Sequence, residues 1–142
     1  MTRWNLCQIA TGGNLPPDII ISGPSLSSPG AVQFDKQGNL WVSNSGNNTI
    51  VQFSKAQLAA SGSPSPAVVL NPAPVGNSMS LGVPFGMAFD TFGNLWVYNY
   101  TSATIAEFTS QQLNASGYPI PPIFMTGFPF FAGQLTFGPA SR

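Results

Sequence analysis

The nonapeptide Phe34-Asp35-Lys36-Gln37-Gly38-Asn39-Leu40-Trp41-Val42 recurs 55 residues later as Phe89-Asp90-Thr91-Phe92-Gly93-Asn94-Leu95-Trp96-Val97. Around it, residues 29–66 and 84–121 are identical at 19 of 38 positions without a gap. A match of this kind at a fixed offset indicates a tandem repeat. We therefore expect one structural unit to occur at least twice.

Each repeat is predicted to form four short antiparallel strands. In the first repeat they are Ala31–Phe34, Leu40–Asn44, Thr49–Ser54 and Ala67–Leu70. In the second they are Gly86–Phe89, Leu95–Asn99, Thr104–Thr109 and Ile123–Met125. These segments are rich in Val, Ile, Phe and Trp and are bounded by Gly, Asn and Pro, which is typical of β-strands. The sequence therefore predicts an all-β chain.

The turn between the first two strands has a mechanical explanation. An aspartate at its start can accept hydrogen bonds from backbone N–H groups of the turn, and a glycine can take the positive φ that closes it. We interpret six residues as structural turn residues: Asp35, Gly38, Asn39, Asp90, Gly93 and Asn94. The alternative, that the two aspartates are paired acids or calcium ligands, requires them to lie close together.

The run Leu40-Trp41-Val42 does not alternate between apolar and polar residues, so both faces of this strand should be buried. A four-stranded meander repeated in tandem is typical of a β-propeller blade. The pattern resembles NHL-repeat propellers and the related streptogramin-lyase-like and gluconolactonase-like propellers, whose blades carry a stretch similar to Phe-Asp-x-x-Gly-Asn-Leu-Trp-Val. The resemblance covers roughly residues 16–137 and implies a fold rather than an activity.

The repeat frame divides residues 1–142 into one propeller segment. It contains a partial blade with the third and fourth strands (4–22), two blades (29–71 and 84–126) and a further first strand (132–138). Two and a half blades do not close a ring. We expect chains to associate, with Gly133–Phe137 of one chain sharing a blade with Trp4–Ile21 of another. A homodimer is favoured and a trimer also fits, while the alternative is a fragment of a longer polypeptide.

Composition limits the partners. The chain has four basic and four acidic residues, no histidine and no net charge. Nucleic-acid binding needs a basic stripe, and membrane-surface binding a polybasic patch, so we expect neither partner. Neutral polar residues with abundant Gly and Pro favour a secreted or cell-surface bacterial protein, although the N-terminus lacks the apolar core of a signal peptide.

The residues needed for catalysis are scarce. A streptogramin-lyase-like activity depends on a histidine, and none is present. Gluconolactonase-like enzymes hold a divalent metal with Glu, Asn and Asp. Here Asn44 and Asn99 recur at the end of the second strand without carboxylates beside them, and amides alone hold calcium poorly. We predict a non-catalytic module without cofactor, with a metal-dependent lactonase-like or lyase-like enzyme as one alternative. Glu107 is expected to be solvated.

A ligand is expected at one end of the sheets. The loops there are Asn44–Asn48, Tyr98–Ala103, Ser22–Pro29 and Asn71–Val83, which together we call the loop face. Their Asn, Ser and Tyr residues suit adaptable polar recognition of a carbohydrate or protein. The candidate ligand-binding residues are Asn44, Asn47, Asn48, Tyr98, Asn99 and Tyr100. A structural surface or filament subunit remains an alternative to a binding or scaffold module.

Overall fold

The computed structural model describes residues 1–3, 16–73, 80–128 and 135–137. These residues form an all-β arrangement of three antiparallel sheets, as the sequence predicts. Sheet A contains β1 (Thr2–Arg3) and β2 (Ile19–Ile20). Sheet B contains β3 (Pro29–Phe34), β4 (Leu40–Asn44), β5 (Thr49–Phe53) and β6 (Val68–Leu70). Sheet C contains β7 (Pro84–Phe89), β8 (Leu95–Asn99), β9 (Thr104–Phe108) and β10 (Ile123–Met125).

Sheets B and C are meanders, with each strand paired to the next strand along the chain. Their registers are the same: Trp41 lies opposite Gln52 in sheet B, and Trp96 lies opposite Glu107 in sheet C. Both first strands begin two residues earlier than predicted. Pro29 and Pro84 pair with Asn44 and Asn99 ahead of an irregularity in register. A proline is tolerated there because it need not donate to the ladder.

The two strands of sheet A pair in the same way as the third and fourth strands of sheets B and C. Thr2 lies opposite Ile20 and Arg3 opposite Ile19. At an offset of 49 these pairs correspond to Val51 with Val69 and Gln52 with Val68 in sheet B. Sheet A therefore has equivalents of the third and fourth strands. The other residues assigned to the partial blade's third strand, from Trp4 onward, lie outside the described part of the chain.

A short 3-10 helix follows the third strand of each repeat, at Lys55–Ala59 and Gln112–Asn114. Both depend on the repeated glutamine. Gln57 Oε1 accepts from the Ser54 N–H at 2.8 Å, and its Nε2 donates to the Ser65 carbonyl at 2.6 Å. Gln112 makes the same two contacts with Thr109 and Ile120. The glutamine thus satisfies a backbone N–H at the start of the helix and fixes the connection to the fourth strand.

The main core lies between sheets B and C. Trp41 is fully buried there with Ile50, Leu70, Met87 and Leu95. Its ring packs edge-to-face on Phe89 of the next sheet, with 6.1 Å between ring centroids. Aromatic pairs prefer this geometry because ring edges and faces carry opposite partial charges. The central strand of sheet B is thus buried on both faces, as its unbroken apolar run predicts.

Phe137 makes the corresponding contact one repeat later. It packs edge-to-face on Trp96, with 6.0 Å between centroids. Phe137 therefore lies against sheet C much as Phe89 lies against sheet B. Of the further first strand expected at 132–138, only residues 135–137 are described, and no strand is assigned to them.

Candidate binding face

The recurrent asparagines at the end of β4 and β8 are buried. Asn44 Oδ1 accepts from the Ser27 N–H at 3.0 Å, and its Nδ2 donates to the Ser25 carbonyl at 2.9 Å. Asn99 Oδ1 accepts from the Gly82 N–H at 3.0 Å, in the equivalent position. Each asparagine binds the connection that leads into its sheet. In this conformation both amides hold the loop face together.

The other four candidate ligand-binding residues differ in how far their side chains are exposed to solvent. Tyr98 is buried, Asn48 is half-buried, and Asn47 and Tyr100 are exposed. Asn47 Oδ1 accepts from the Thr49 hydroxyl at 2.8 Å, which fixes its side chain over the start of β5. The structure therefore presents Asn47 and Tyr100 to solvent on the loops that follow β4 and β8.

Asn48 joins the loops of the two repeats. Its Oδ1 accepts from the Val83 N–H at 2.7 Å. The Val83 carbonyl in turn accepts from the Tyr100 N–H at 3.1 Å. Three segments distant in sequence therefore meet at Val83: the loop after β4, the connection between the sheets and the loop after β8.

Val83 is strained, because it has a φ of 51°. Left-handed backbone is unfavourable for a β-branched residue and persists only when its surroundings hold it in place. The hydrogen bonds from Tyr100 and to Asn48 provide such a constraint. Val83 ends one of the predicted loops, but nothing in the sequence Gly82-Val83-Pro84 marks the valine as left-handed.

The two turn aspartates lie at the opposite end of the sheets. Asp35 accepts hydrogen bonds from the Gln37 and Asn39 N–H groups at 3.0 and 2.9 Å. It also accepts from Asn39 Nδ2 at 2.9 Å and from Trp41 Nε1 at 3.0 Å. Gly38 closes the turn with a φ of 83°. The aspartate thus joins the hairpin to the tryptophan that fills the core.

The second turn repeats these contacts. Asp90 accepts from the Phe92 and Asn94 N–H groups, from Asn94 Nδ2 and from Trp96 Nε1, at 2.8 to 3.1 Å. Gly93 has a φ of 85°. The two turns are linked, because Lys36 Nζ donates to the Thr91 carbonyl.

Hydrogen bonding lowers the pKa of both turn aspartates. Burial raises the pKa of the Asp35 carboxyl, but the bonds from Trp41, Asn39 and Gln37 outweigh it and hold the pKa below its ordinary value. The balance at Asp90 is the same, with burial opposed by the bonds from Trp96, Asn94 and Phe92. Donors stabilise the ionised form of a carboxyl.

Glu107 is not solvated, contrary to expectation. It is 8% exposed, and its Oε1 accepts from Asn94 Nδ2 at 2.8 Å. The prediction was wrong because β9 is buried along its whole length, while its equivalent β5 leaves Gln52 half-buried. A position that is partly open in one repeat is therefore covered in the other.

Two features are absent from residues 1–3, 16–73, 80–128 and 135–137. No group of three or more His, Cys, Asp or Glu side chains is arranged there to hold a metal ion. No helix within these ranges is long and apolar enough to cross a membrane. The described polar side-chain atoms that are buried all have hydrogen-bond partners.

Comparison with known proteins assigns no family to the chain. No protein-family model matches it, and no curated protein matches its sequence.

Proposed function

We propose that the chain is a non-catalytic binding or scaffold module, built as a segment of an NHL-like β-propeller. It recognises a neutral ligand or a protein through its loop face. The propeller assignment is supported by the same pairing of third and fourth strands in sheets A, B and C. It is also supported by the repeated contacts of Trp41 with Phe89 and Trp96 with Phe137. Each contact joins one sheet to the segment that follows it.

The observation that carries the binding proposal is the junction at Val83. The left-handed backbone recurs at the equivalent Ser28, with a φ of 47°, so the strain belongs to the repeat. The Asn48 contact is what joins the loops of the two repeats, and loops held on a rigid scaffold are where binding is usually placed. The Asn48 and Tyr100 contacts place two loops side by side on buried asparagine supports. Exposed Tyr100 and Asn47 then offer an aromatic ring and an amide, which suit stacking on a sugar or packing on a peptide.

The composition of these loops supports a neutral ligand. The loop-face residues that the structure describes contain no Lys, Arg, Asp or Glu. An ionised ligand buried there would lack a paired charge, which is costly. A neutral oligosaccharide or an uncharged protein surface avoids this cost.

The test is a binding screen against neutral oligosaccharides and uncharged peptides, followed by variants. We expect Tyr100→Ala to weaken binding of any hit roughly tenfold, the loss of one well-placed aromatic contact. Phe92→Ala is the matched control, because Phe92 is also an exposed aromatic residue but lies in the turn between β7 and β8, at the other end of the sheets. Equal losses in both variants, or none in either, would contradict binding through the loop face.

The proposal includes self-association. A homodimer would join Gly133–Phe137 of one chain to Trp4–Ile21 of another, and a trimer would close a larger ring. Three large apolar side chains are exposed on sheet A and on β3: Ile20, Val32 and Phe34. Their exposure supports a second chain that covers this part of the surface. Light scattering during size-exclusion chromatography measures the stoichiometry, and a stable monomer would contradict association.

A further inference from the structure

A cavity of about 310 Å³ lies between sheets B and C, at the end of the sheets that carries the two aspartate turns. We call it the turn cavity. Both turns contribute to its walls, and so do β5 through Gln52 and the connection after β9 through Asn114. Ligand sites usually have volumes of about 300–1,000 Å³, so the turn cavity has room for one small molecule rather than a polymer.

Two side-chain amides of the turn cavity are not used by the fold. Within the described ranges, neither Gln52 nor Asn114 makes a side-chain hydrogen bond, and both amides reach solvent. Sheet C shows a structural group at the position of Gln52, because Glu107 accepts there from Asn94 Nδ2 at 2.8 Å. An amide has both donors and an acceptor, so the two amides offer a ligand both kinds of partner.

The carboxylate that lines the turn cavity is fully occupied by the protein. Asp35 Oδ1 accepts from two backbone N–H groups of its turn, and Oδ2 accepts from Asn39 Nδ2 and Trp41 Nε1. These four bonds use the acceptor sites of a carboxylate, so only its charge acts on a ligand. Lys36 brings the opposite charge to the same cavity. An ionised ligand therefore gains no net attraction from this pair to offset its loss of water.

The walls of the turn cavity are held in place by contacts within and between the repeats. Lys36 Nζ donates to the Thr91 carbonyl and so joins the first turn to the second. The Ser110 N–H donates to Asn94 Oδ1 at 3.0 Å, which fixes the second turn to the connection after β9. Half-buried Phe89 supplies an apolar wall. Because these walls are fixed before binding, a ligand has little ordering of side chains to oppose it.

We propose that the turn cavity binds a single neutral sugar ring, as a site separate from the loop face. Sugar hydroxyls both donate and accept, so they match the free amides of Gln52 and Asn114. The C–H groups of the ring pack on the apolar wall of Phe89. The Asp35 and Lys36 charges favour a neutral sugar over a sugar acid or an amino sugar.

The probes are the methyl glycosides of D-glucose, D-galactose and D-mannose, titrated into the full chain and followed by heteronuclear NMR. The reporters are the side-chain amide of Gln52 and the indole N–H of Trp41. We expect at least one glycoside to shift both signals saturably, with a Kd of about 1 mM for a ligand with so few atoms. Absence of saturable shifts with all three, or shifts at the Tyr100 amide instead, would overturn the proposal.

Variants then test the amides, with the Trp41 indole as the reporter. Gln52→Ala should weaken binding roughly tenfold, because it removes a donor and an acceptor. Asn114→Ala changes an exposed side chain and should weaken binding by a smaller factor. Gln33→Ala is the matched control: Gln33 is also a half-buried glutamine on this face of sheet B, but Trp41 lies between it and Gln52 in the ladder.

The control should bind within roughly twofold of the unmodified chain. Circular dichroism verifies that each variant is folded. Equal affinities for Gln52→Ala and Gln33→Ala would overturn the assignment of the amides.

A last arm tests the charge of the ligand. D-Glucuronate and D-glucosamine have the ring of glucose with a negative or a positive charge. Both should bind more weakly than the neutral glycoside, because Asp35 and Lys36 together supply no net charge to pair with either. Tighter binding of the charged sugars would overturn the proposal of a neutral ligand.

Discussion

Sheets B and C have the same strand arrangement, with half of the aligned residues of the two repeats identical, but they are buried to different extents. Val32 is 42% exposed in sheet B, while its equivalent Met87 is 0% exposed in sheet C. Trp41 is fully buried, while its equivalent Trp96 is half-buried. The hairpins, turns and registers nevertheless coincide. Local sequence therefore determines the shape of each sheet, and the neighbouring sheet determines how much of it is covered.

The largest difference between the two sheets is expected when each tryptophan is removed in turn. Trp41→Ala should lower the free energy of unfolding by about 3–5 kcal/mol, the usual cost of deleting a fully buried aromatic side chain. Trp96→Ala should cost clearly less, because water already reaches part of its ring. Urea unfolding followed by circular dichroism measures both. Equal losses would show that the two junctions are equally packed.

A smaller loss of unfolding free energy is expected when the aspartates that accept from these indole N–H groups are replaced. Asp35→Ala leaves Trp41 Nε1 buried without an acceptor, at a cost of about 1–3 kcal/mol in the free energy of unfolding. Asp90→Ala should cost less, since water can replace the carboxylate at half-buried Trp96. The same urea titrations report the difference. A larger loss for Asp90→Ala would contradict the burial difference between the two tryptophans.

The smallest effect should appear as a pH dependence shared by the two turns. Because folding lowers both pKa values, ionised Asp35 and Asp90 stabilise the fold above their unfolded pKa of about 3.9. This stabilisation is lost as the pH falls through the folded pKa values. Urea midpoints between pH 6 and pH 2.5 should therefore drop less in the Asp35→Ala/Asp90→Ala double variant. An unchanged pH profile would contradict a role for these carboxyls.

The sequence predicted the strands well because the repeat displays each strand twice. Leu40–Asn44, Leu95–Asn99 and Ile123–Met125 have the predicted bounds. The two 3-10 helices were not predicted, although Ser54 and Gln57 have the spacing of a capping box. No apolar helical run follows this spacing, so the sequence alone does not predict a helix there, and the helices are held by glutamine contacts to the next connection.

The site could be predicted only in part. Recurrence identified Asn44 and Asn99, and the structure shows them bound to the loop backbone. The Val83 junction joins residues from three separate segments, and no local pattern encodes such a meeting. Burial of Glu107 was missed for the same reason, since it depends on contacts beyond its own strand.

The two repeat offsets, 49 and 55, differ by six residues, and the difference falls between Ala73 and Ser80. On either side the frames match, with Ser22–Pro24 equivalent to 71–73 and Ser25–Ser28 equivalent to 80–83. The Ala73 N–H donates to the Ser80 hydroxyl at 2.6 Å, so the two ends of this six-residue insertion are tied to each other. Residues 74–79 are consequently a natural position for grafting a foreign peptide, because changes in their length need not alter either sheet.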